Sequence, residues 1–203
     1  MSDRDRLAAP AVAVAPLLLG SFLTSGGVTV RITEVEAYLG VGIDPGSHSF
    51  RGQTPRNSVM FGEPGHLYTY FTYGMHTCCN VVTSPVGESS AVLIRAGEVV
   101  DGIELARERR TTSRSDADLA RGPALLCIAL GIAMSDNGAD LLGGGAASRV
   151  SLDLRGEASA PPIATGPRTG ASGPGGGDEF PWRFWIPGDP TVSRYKAHVP
   201  KKR

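Results

Sequence analysis

The sequence predicts an α+β domain with a mainly antiparallel β-sheet flanked by helices. Alternating apolar residues, which are typical of strands, dominate the first half of the 203-residue chain. The apolar spacing then changes to that of amphipathic helices between 101 and 130. Strands that are adjacent in the chain, followed by helices, favour an antiparallel sheet. A chain of this length fits one domain that buries roughly 70% of its unfolded surface.

The first element is an apolar stretch from 7 to 19. It is too short to span a bilayer and is interrupted by Pro10 and Pro16, so we expect a core-packing helix. A secretory signal peptide is the weaker alternative, since Asp3 and Asp5 accompany the arginines that precede the stretch.

Strands are predicted at 28–39, 67–72, 79–83 and 91–96. A turn at Gly74 joins the second and third into a hairpin. Helices are predicted from Asp101 to about Arg110 and from Pro123 to Leu130, where Gly131 ends the second one. The segment 156–179 is rich in glycine and proline and is expected to be a mobile loop without packed elements. An aromatic strand follows at 180–186.

Composition excludes several classes of protein. Basic and acidic residues number 20 each, so the net charge is zero and any nucleic-acid binding must be local. Three cysteines, with no C-x-x-C or H-x-E spacing, predict neither a disulfide scaffold nor a zinc site. We expect a reducing compartment and therefore a cytoplasmic protein, nucleoid-associated in a prokaryote or nuclear in a eukaryote.

Positive charge is concentrated in two clusters. The first comprises Arg107, Arg109, Arg110, Arg114 and Arg121, and the second comprises Arg194, Lys196, Lys201, Lys202 and Arg203. Either cluster can contact phosphate, but solvated helix faces and tails have the same composition.

A carboxylate lies where the strand pattern predicts a buried face. Period-2 geometry places Val28, Val30, Ile32, Glu34, Glu36 and Tyr38 on one side of the strand 28–39. Acids at the end of an apolar face are unusual for packing, and partial burial prepares a carboxylate for general acid or base chemistry. We therefore interpret Glu36 as the reactive centre.

Two further segments carry polar and aromatic side chains. The segment 48–57 is a polar loop with a histidine and two arginines, where ligands are often bound, or an ordered loop whose polar groups satisfy its own backbone. The segment 68–76 places three of the five tyrosines on a hairpin. These rings either pack in the core or, at the hairpin tip, insert between stacked bases.

These segments resemble the alkyladenine (3-methyladenine) DNA glycosylase family of base-excision repair. The resemblance rests on Glu34-Val35-Glu36-Ala37-Tyr38, His48-Ser49, Gln53-Thr54-Pro55-Arg56-Asn57, Met60-Phe61, Pro64-Gly65, Leu67-Tyr68, Tyr73-Gly74-Met75, Asn80 and Val92-Leu93-Ile94-Arg95-Ala96, in family order. It continues through Arg121-Gly122-Pro123, Leu130-Gly131-Ile132, Pro167-Arg168 and Pro181-Trp182-Arg183-Phe184. It implies a curved sheet and one DNA glycosylase domain over residues 1–203.

The resemblance also implies the chemistry of the site. Glu36 would deprotonate a water that attacks the sugar, and Arg95 would hold Glu36 and that water. The flipped purine would lie between Tyr38 on one side and His48 and Tyr70 on the other, where ring stacking contributes about 1 to 3 kcal/mol per base.

The remaining implied roles concern specificity and DNA. Asn80 would contact the purine edge and disfavour guanine. Tyr73 would fill the gap that the flipped nucleotide leaves, and Met75, Arg51 and Arg56 would contact DNA. The expected partner is double-stranded DNA that contains damaged purines, such as 3-methyladenine, with hypoxanthine and ethenoadenine as further candidates. We expect a monomer with no membrane partner, no cofactor and no metal.

Lysine usage predicts a monofunctional enzyme. A glycosylase that also cuts the strand needs an amine for a Schiff base, and the first lysine in this chain is Lys196. Water is therefore the expected nucleophile. The chain departs from the family at Gly122-Pro123-Ala124-Leu125-Leu126, where Gly-Pro-Gly-Lys-Leu is common. The loss of the second glycine and the lysine predicts weaker contact with phosphate there.

Two alternative functions remain open from the residues alone. A small-substrate nucleoside or glycoside hydrolase could use Glu34 and Glu36 as an acid–base pair, since residues i and i+2 of a strand lie roughly 6 to 7 Å apart. A non-catalytic nucleic-acid module could use the aromatic rings for stacking alone.

Overall fold

A computed structural model of the chain describes residues 1–72, 74–143, 149–171 and 173–198. Within these ranges, eight strands form one antiparallel sheet. They are β1 (Phe22–Ser25), β2 (Val28–Tyr38), β3 (Leu67–Thr72), β4 (His76–Val82), β5 (Ala91–Asp101), β6 (Val150–Asp153), β7 (Ala164–Gly166) and β8 (Arg183–Trp185). The main order is β3-β4-β5-β2-β1-β6. The sheet is curved, and the α+β fold class is confirmed.

The strand β2 is the centre of the sheet. One edge pairs with β5 along most of its length, whereas the other edge pairs first with β1 and then, at 34–36, with β8. β8 in turn pairs with β7. A short C-terminal strand therefore completes the sheet beside the two predicted acids.

Four α-helices lie in the described part of the chain: α1 (Asp3–Leu7), α2 (Ala11–Leu18), α3 (Ile103–Arg109) and α4 (Pro123–Leu130). α2 packs on β2 and α4 packs on β4 and β5, and their buried residues share one hydrophobic core with the sheet. None of these helices is long and apolar enough to cross a membrane. The candidate site described below lies on the opposite face of the sheet.

The predicted core-packing helix within 7–19 is confirmed as α2, but α2 is shorter than the apolar stretch. The chain forms two helices, because Pro10 has extended backbone angles (φ −55°, ψ 143°) and precedes the first residue of α2. The prediction for α4 is confirmed at both ends. Gly131 adopts the left-handed conformation (φ 67°), and its N–H donates to the carbonyls of Cys127 and Ile128.

The predicted alternation along β2 is also wrong beyond Ile32. Ile32 pairs with Gly97 and Glu34 pairs with Ala96, so Thr33 is an extra residue in a β-bulge. The core face consequently continues through Val35 and Ala37. Glu34 and Glu36 do not share the face of Val28, Val30 and Ile32 but lie on the opposite one, away from the helices.

The prediction of a loop without packed elements at 156–179 is wrong in its central part. The segment contains β7, which pairs with β8, and the side chain of Arg168 is 1% exposed. Its guanidinium donates to the carbonyl of Gly175, so the glycine-rich stretch that follows is also tied to the domain. The predicted strand at 180–186 is confirmed in the shorter β8.

Candidate active site

The site is built on one row of residues across the sheet. Strand register aligns Tyr68 with Asn80, Asn80 with Leu93, Leu93 with Glu36, and Glu36 with Arg183. Directly opposed residues of antiparallel strands project from the same face. Four strands from three separate parts of the sequence therefore bring an aromatic ring, an amide, a carboxylate and a guanidinium to one surface.

Glu36 is fully buried and accepts hydrogen bonds on both carboxylate oxygens. Its Oε2 accepts from the Tyr38 hydroxyl at 2.9 Å, and its Oε1 accepts from the backbone N–H of Thr169 at 2.6 Å. The guanidinium of Arg95 lies 3.3 Å from Oε1. These three donors fix the position and orientation of the carboxylate.

Arg95 also contacts the second acid. Its Nε donates to Glu34 at 3.0 Å, and only 8% of its side chain is exposed. Burial acts to lower the pKa of Arg95, but Glu36 and Glu34 outweigh it, so the pKa lies above the usual value. Arg95 is the extra residue between Ile94 and Ala96 in a second irregularity of the β2–β5 pairing, which directs it toward both carboxylates.

Glu34 is saturated by other partners. Its Oε1 accepts from Arg183 Nε at 2.6 Å and from the Ser193 hydroxyl at 3.0 Å, and its Oε2 accepts from the Ser193 N–H at 2.7 Å. Two buried guanidiniums thus balance the two buried carboxylates. This arrangement makes Glu34 a structural anchor of the C-terminal segment and counts against an acid–base pair of Glu34 and Glu36.

A cavity is lined by Tyr38, the side chain whose hydroxyl donates to Glu36. The volume of this cavity is about 70 Å³. Its lining residues are Tyr38, Gly46, Ser47, His48, Met60, Tyr68, Tyr70 and Asn80. The structure therefore brings together all four residues that were predicted to bind substrate, namely Tyr38, His48, Tyr70 and Asn80.

The rings of the cavity are held by one another. His48 and Tyr70 meet edge to face with centroids 4.6 Å apart, and Tyr68 lies nearly parallel to Tyr70 at 5.9 Å. His48 Nδ1 shares a hydrogen bond of 3.0 Å with the Tyr68 hydroxyl. Burial, followed by the positive charge of Arg56, lowers the pKa of His48, so the imidazole is neutral at neutral pH. Burial also raises the pKa of Tyr70 well above its usual value.

Tyr38 forms the opposite wall of the cavity and is held from behind. The Arg168 guanidinium lies 4.4 Å from the centroid of the Tyr38 ring. Arg168 is fixed in turn by two hydrogen bonds to the fully buried Asp44, at 2.6 and 2.7 Å. Burial and then Glu36 raise the pKa of Tyr38 well above its usual value, so its hydroxyl remains a donor to Glu36.

The loop 48–57 fits both interpretations made from the sequence. The Asn57 amide donates to the carbonyls of His48 and Gly52, so part of the loop does satisfy its own backbone. The His48 side chain nevertheless lines the cavity. Arg51 and Arg56 are exposed at the loop surface, and Arg56 donates to the Phe71 carbonyl of the β3–β4 hairpin at 3.1 Å.

The hairpin tip presents apolar side chains to solvent. Met75 is 71% exposed and Phe71 is 48% exposed. Tyr73, the predicted intercalating residue, lies outside the described residues. The hairpin thus offers an exposed apolar surface next to Arg56.

Sequence reasoning missed three groups of the site. Tyr68 shares a strand face with Tyr70, so period-2 spacing within β3 could have indicated it. Asp44 and Arg168 are 124 residues apart and meet only through the fold. The N–H of Thr169 is a backbone group, which no residue pattern identifies. Within the described ranges, no cluster of three or more His, Cys, Asp or Glu side chains is arranged to hold a metal ion.

Comparison with known proteins identifies the family of the chain. The family model for methylpurine-DNA glycosylase (MPG) matches residues 5–190. A protein of Leifsonia xyli named "Putative 3-methyladenine DNA glycosylase" is 56% identical over 96% of this chain and 92% of its own length. Proteins of the same name from Streptomyces avermitilis and Nocardia farcinica are 51% and 53% identical, over 98% and 88% of this chain and 94% and 84% of their own lengths. The chain belongs to the methylpurine-DNA glycosylase family.

Proposed function

We propose that this chain is a DNA glycosylase that releases alkylated purines, such as 3-methyladenine, by hydrolysis of the N-glycosidic bond and leaves an abasic site. Family membership and the names of its relatives support the reaction class. The observation that carries the proposal is the position of the buried Glu36 carboxylate, one hydroxyl away from a ring-lined cavity.

The cavity suits a flipped purine. Tyr38 on one side and His48 and Tyr70 on the other offer ring faces and edges to a base, which stacks without strict sequence preference. An alkylated purine carries positive charge and is attracted to the faces of electron-rich rings. A neutral His48 adds no repulsion to such a cation, in keeping with its lowered pKa.

Glu36 is proposed as the general base. It takes a proton from a water molecule whose oxygen bonds to the anomeric carbon, while the bond from that carbon to the base nitrogen breaks. The bonding electron pair leaves with the base, so a cationic alkylpurine departs as a neutral molecule. The carboxylate also stabilises the positive charge that develops on the sugar, and Arg95 orients it.

The burial of Glu36 sets one requirement on this mechanism. Its two oxygens are covered by Tyr38, Thr169 and Arg95, and none of the residue is exposed. Water can reach the carboxylate when one of these donor groups moves away from it. We propose that entry of the nucleotide against the Tyr38 ring brings about this exchange.

Substrate range and DNA distortion are finer parts of the proposal. We propose that Asn80 reads the purine edge and that hypoxanthine and ethenoadenine are further substrates. Extrusion of a nucleotide from the duplex costs a few kcal/mol, least where the lesion pairs poorly. Tyr73 is proposed to fill the gap, with Met75, Arg51 and Arg56 in contact with the surrounding DNA.

Single-turnover base release tests the proposal. The enzyme in excess is mixed with defined duplexes that contain one 3-methyladenine, one hypoxanthine or no lesion, and the free base and abasic sites are measured. We expect stoichiometric release of 3-methyladenine with equal formation of abasic sites, and no release from the undamaged duplex. Binding of the duplexes without release of any base would instead support a non-catalytic nucleic-acid module.

A further inference from the structure

A second and larger depression is lined by Arg95 and Thr169, two of the residues that contact Glu36. Its volume is about 520 Å³, compared with about 70 Å³ for the base cavity. Its charged lining residues are Arg95, Arg114, Arg121, Arg194, Lys196 and Asp118. We refer to this depression as the basic groove. It unites members of two basic clusters that are more than 70 positions apart in the chain.

Most of the positive charge in the basic groove is uncompensated. Arg121 pairs with Asp118 at 2.8 Å, and Arg95 is balanced by the buried acids. Arg114, Arg194 and Lys196 are exposed and form no ion pair with any residue that the structure describes. Three exposed cations in one concave surface create a local positive potential on a chain of zero net charge.

Two polar atoms of the groove residues also lack partners. The Thr169 hydroxyl oxygen and the Arg121 Nε are buried and form no hydrogen bond within the described part of the chain. Buried polar atoms are rarely left unpaired, since each costs about 1–3 kcal/mol. Both atoms are hydrogen-bond donors, and both belong to residues that line the groove.

The position of Glu36 links the basic groove to the base cavity. Its Oε2 bonds to Tyr38, which lines the cavity, whereas its Oε1 contacts Thr169 and Arg95, which line the groove. A nucleotide whose base occupies the cavity and whose sugar reaches Glu36 would then have its phosphates within reach of the groove. We infer that the basic groove binds the phosphate backbone next to the flipped nucleotide, an inference that rests on the proposed function.

The shape of the groove favours a polymer over a single phosphate ion. Its cations come from separate elements and line a volume several times that of the base cavity. A site for one ion would instead gather its donors around one point. Arg114 and Arg194 are the best positions for a test, because neither has a described partner whose loss would affect folding.

The experiment measures the salt dependence of binding to a short undamaged duplex for the full chain and for an Arg114→Gln/Arg194→Gln double variant. Each phosphate contact contributes about 0.9 to the slope of log affinity against log salt, so the slope should fall by about 2. When salt is raised from 50 to 200 mM, the affinity of the double variant should accordingly fall about tenfold less than that of the wild-type chain. Arg107→Gln, a matched change at an exposed arginine that pairs with Glu104 and Asp116, should leave the slope unchanged.

Three outcomes would overturn the inference. One is a double variant with the slope of the wild-type chain, and another is an equal fall in slope for Arg107→Gln. The third is that inorganic phosphate at millimolar concentration saturates the groove in a calorimetric titration, while the salt dependence of DNA binding is the same for the double variant and the wild-type chain. Base release by the wild-type chain is measured separately. If the wild-type chain releases base but the double variant keeps the wild-type slope, only the inference about the basic groove is refuted. If the double variant has a reduced slope but the wild-type chain releases no base, only the glycosylase assignment is refuted.

Discussion

Glu34 and Glu36 are two carboxylates on the same face of β2 with different surroundings. Period-2 spacing predicts that they share a face, and this is confirmed in the structure. It does not predict which acid is available for chemistry, because the partners of Glu34, Arg183 and Ser193, lie about 150 positions further along the chain. Single-residue roles of this kind depend on tertiary contacts that periodicity does not contain.

Asp44 provides the first prediction at this scale. Asp44→Asn should destabilise the protein by about 3–5 kcal/mol, because it leaves the buried Arg168 without its carboxylate. It should also slow base release, since Arg168 supports the Tyr38 ring and the adjacent Thr169 N–H bonds to Glu36. Denaturant unfolding measures the first effect and single-turnover kinetics the second.

The matched control is Asp116→Asn at an exposed ion pair with Arg107. Surface pairs contribute little, so the unfolding midpoint of this variant should hardly move. If Asp44→Asn were as mild as Asp116→Asn in both assays, the Asp44–Arg168 pair would have no part in holding the site.

At the scale of elements, β2 illustrates what a sequence can and cannot predict. Its bounds follow from the alternation of apolar residues and are confirmed to within one residue. The bulge at Thr33 has no such pattern, because an extra residue in one strand is defined by its partner strand. One inserted residue reverses the faces that follow, and it is the reason that Glu36 faces the site and not the core.

The β3–β4 hairpin carries the second prediction. Tyr73→Ser should weaken binding to a lesion-containing duplex by about 1–3 kcal/mol, because a stacked ring is lost from the gap in the DNA. Binding to an undamaged duplex should weaken less, since no gap is filled there. Fluorescence anisotropy titrations of the two duplexes measure both losses. Equal losses would contradict the role proposed for Tyr73.

At the scale of the whole molecule, the fold class and most elements follow from local patterns, whereas the assembly of the site does not. The segment 156–179 has the composition of a loop, yet it supplies β7, Arg168 and the N–H that bonds to Glu36. Packing against β8 and Asp44 outweighs its glycine and proline content. The residues of the basic groove lie at 95–121 and 169–196, so the groove likewise forms only when the fold brings these two segments together.

Lysine distribution gives a prediction for the whole chain. Lys196 is the first lysine and lines the basic groove, whereas the described lining of the base cavity contains no lysine and Glu36 is contacted by Arg95. Arginine does not form a Schiff base at neutral pH because its guanidinium stays protonated. Borohydride should therefore trap no covalent adduct with lesion-containing DNA, as judged by denaturing electrophoresis. A trapped adduct would refute a purely hydrolytic route.

Base release by Glu36→Gln tests the central claim most directly. The variant should fold, because the amide oxygen can still accept a hydrogen bond and Arg95 keeps its contact with Glu34. Glu63→Gln, the same change at an exposed surface acid, is the matched control. We predict that single-turnover release of 3-methyladenine falls by about 10²–10⁴-fold or more in Glu36→Gln, while affinity for the duplex and release by Glu63→Gln stay near wild type. Near-normal release by a folded Glu36→Gln would contradict the account.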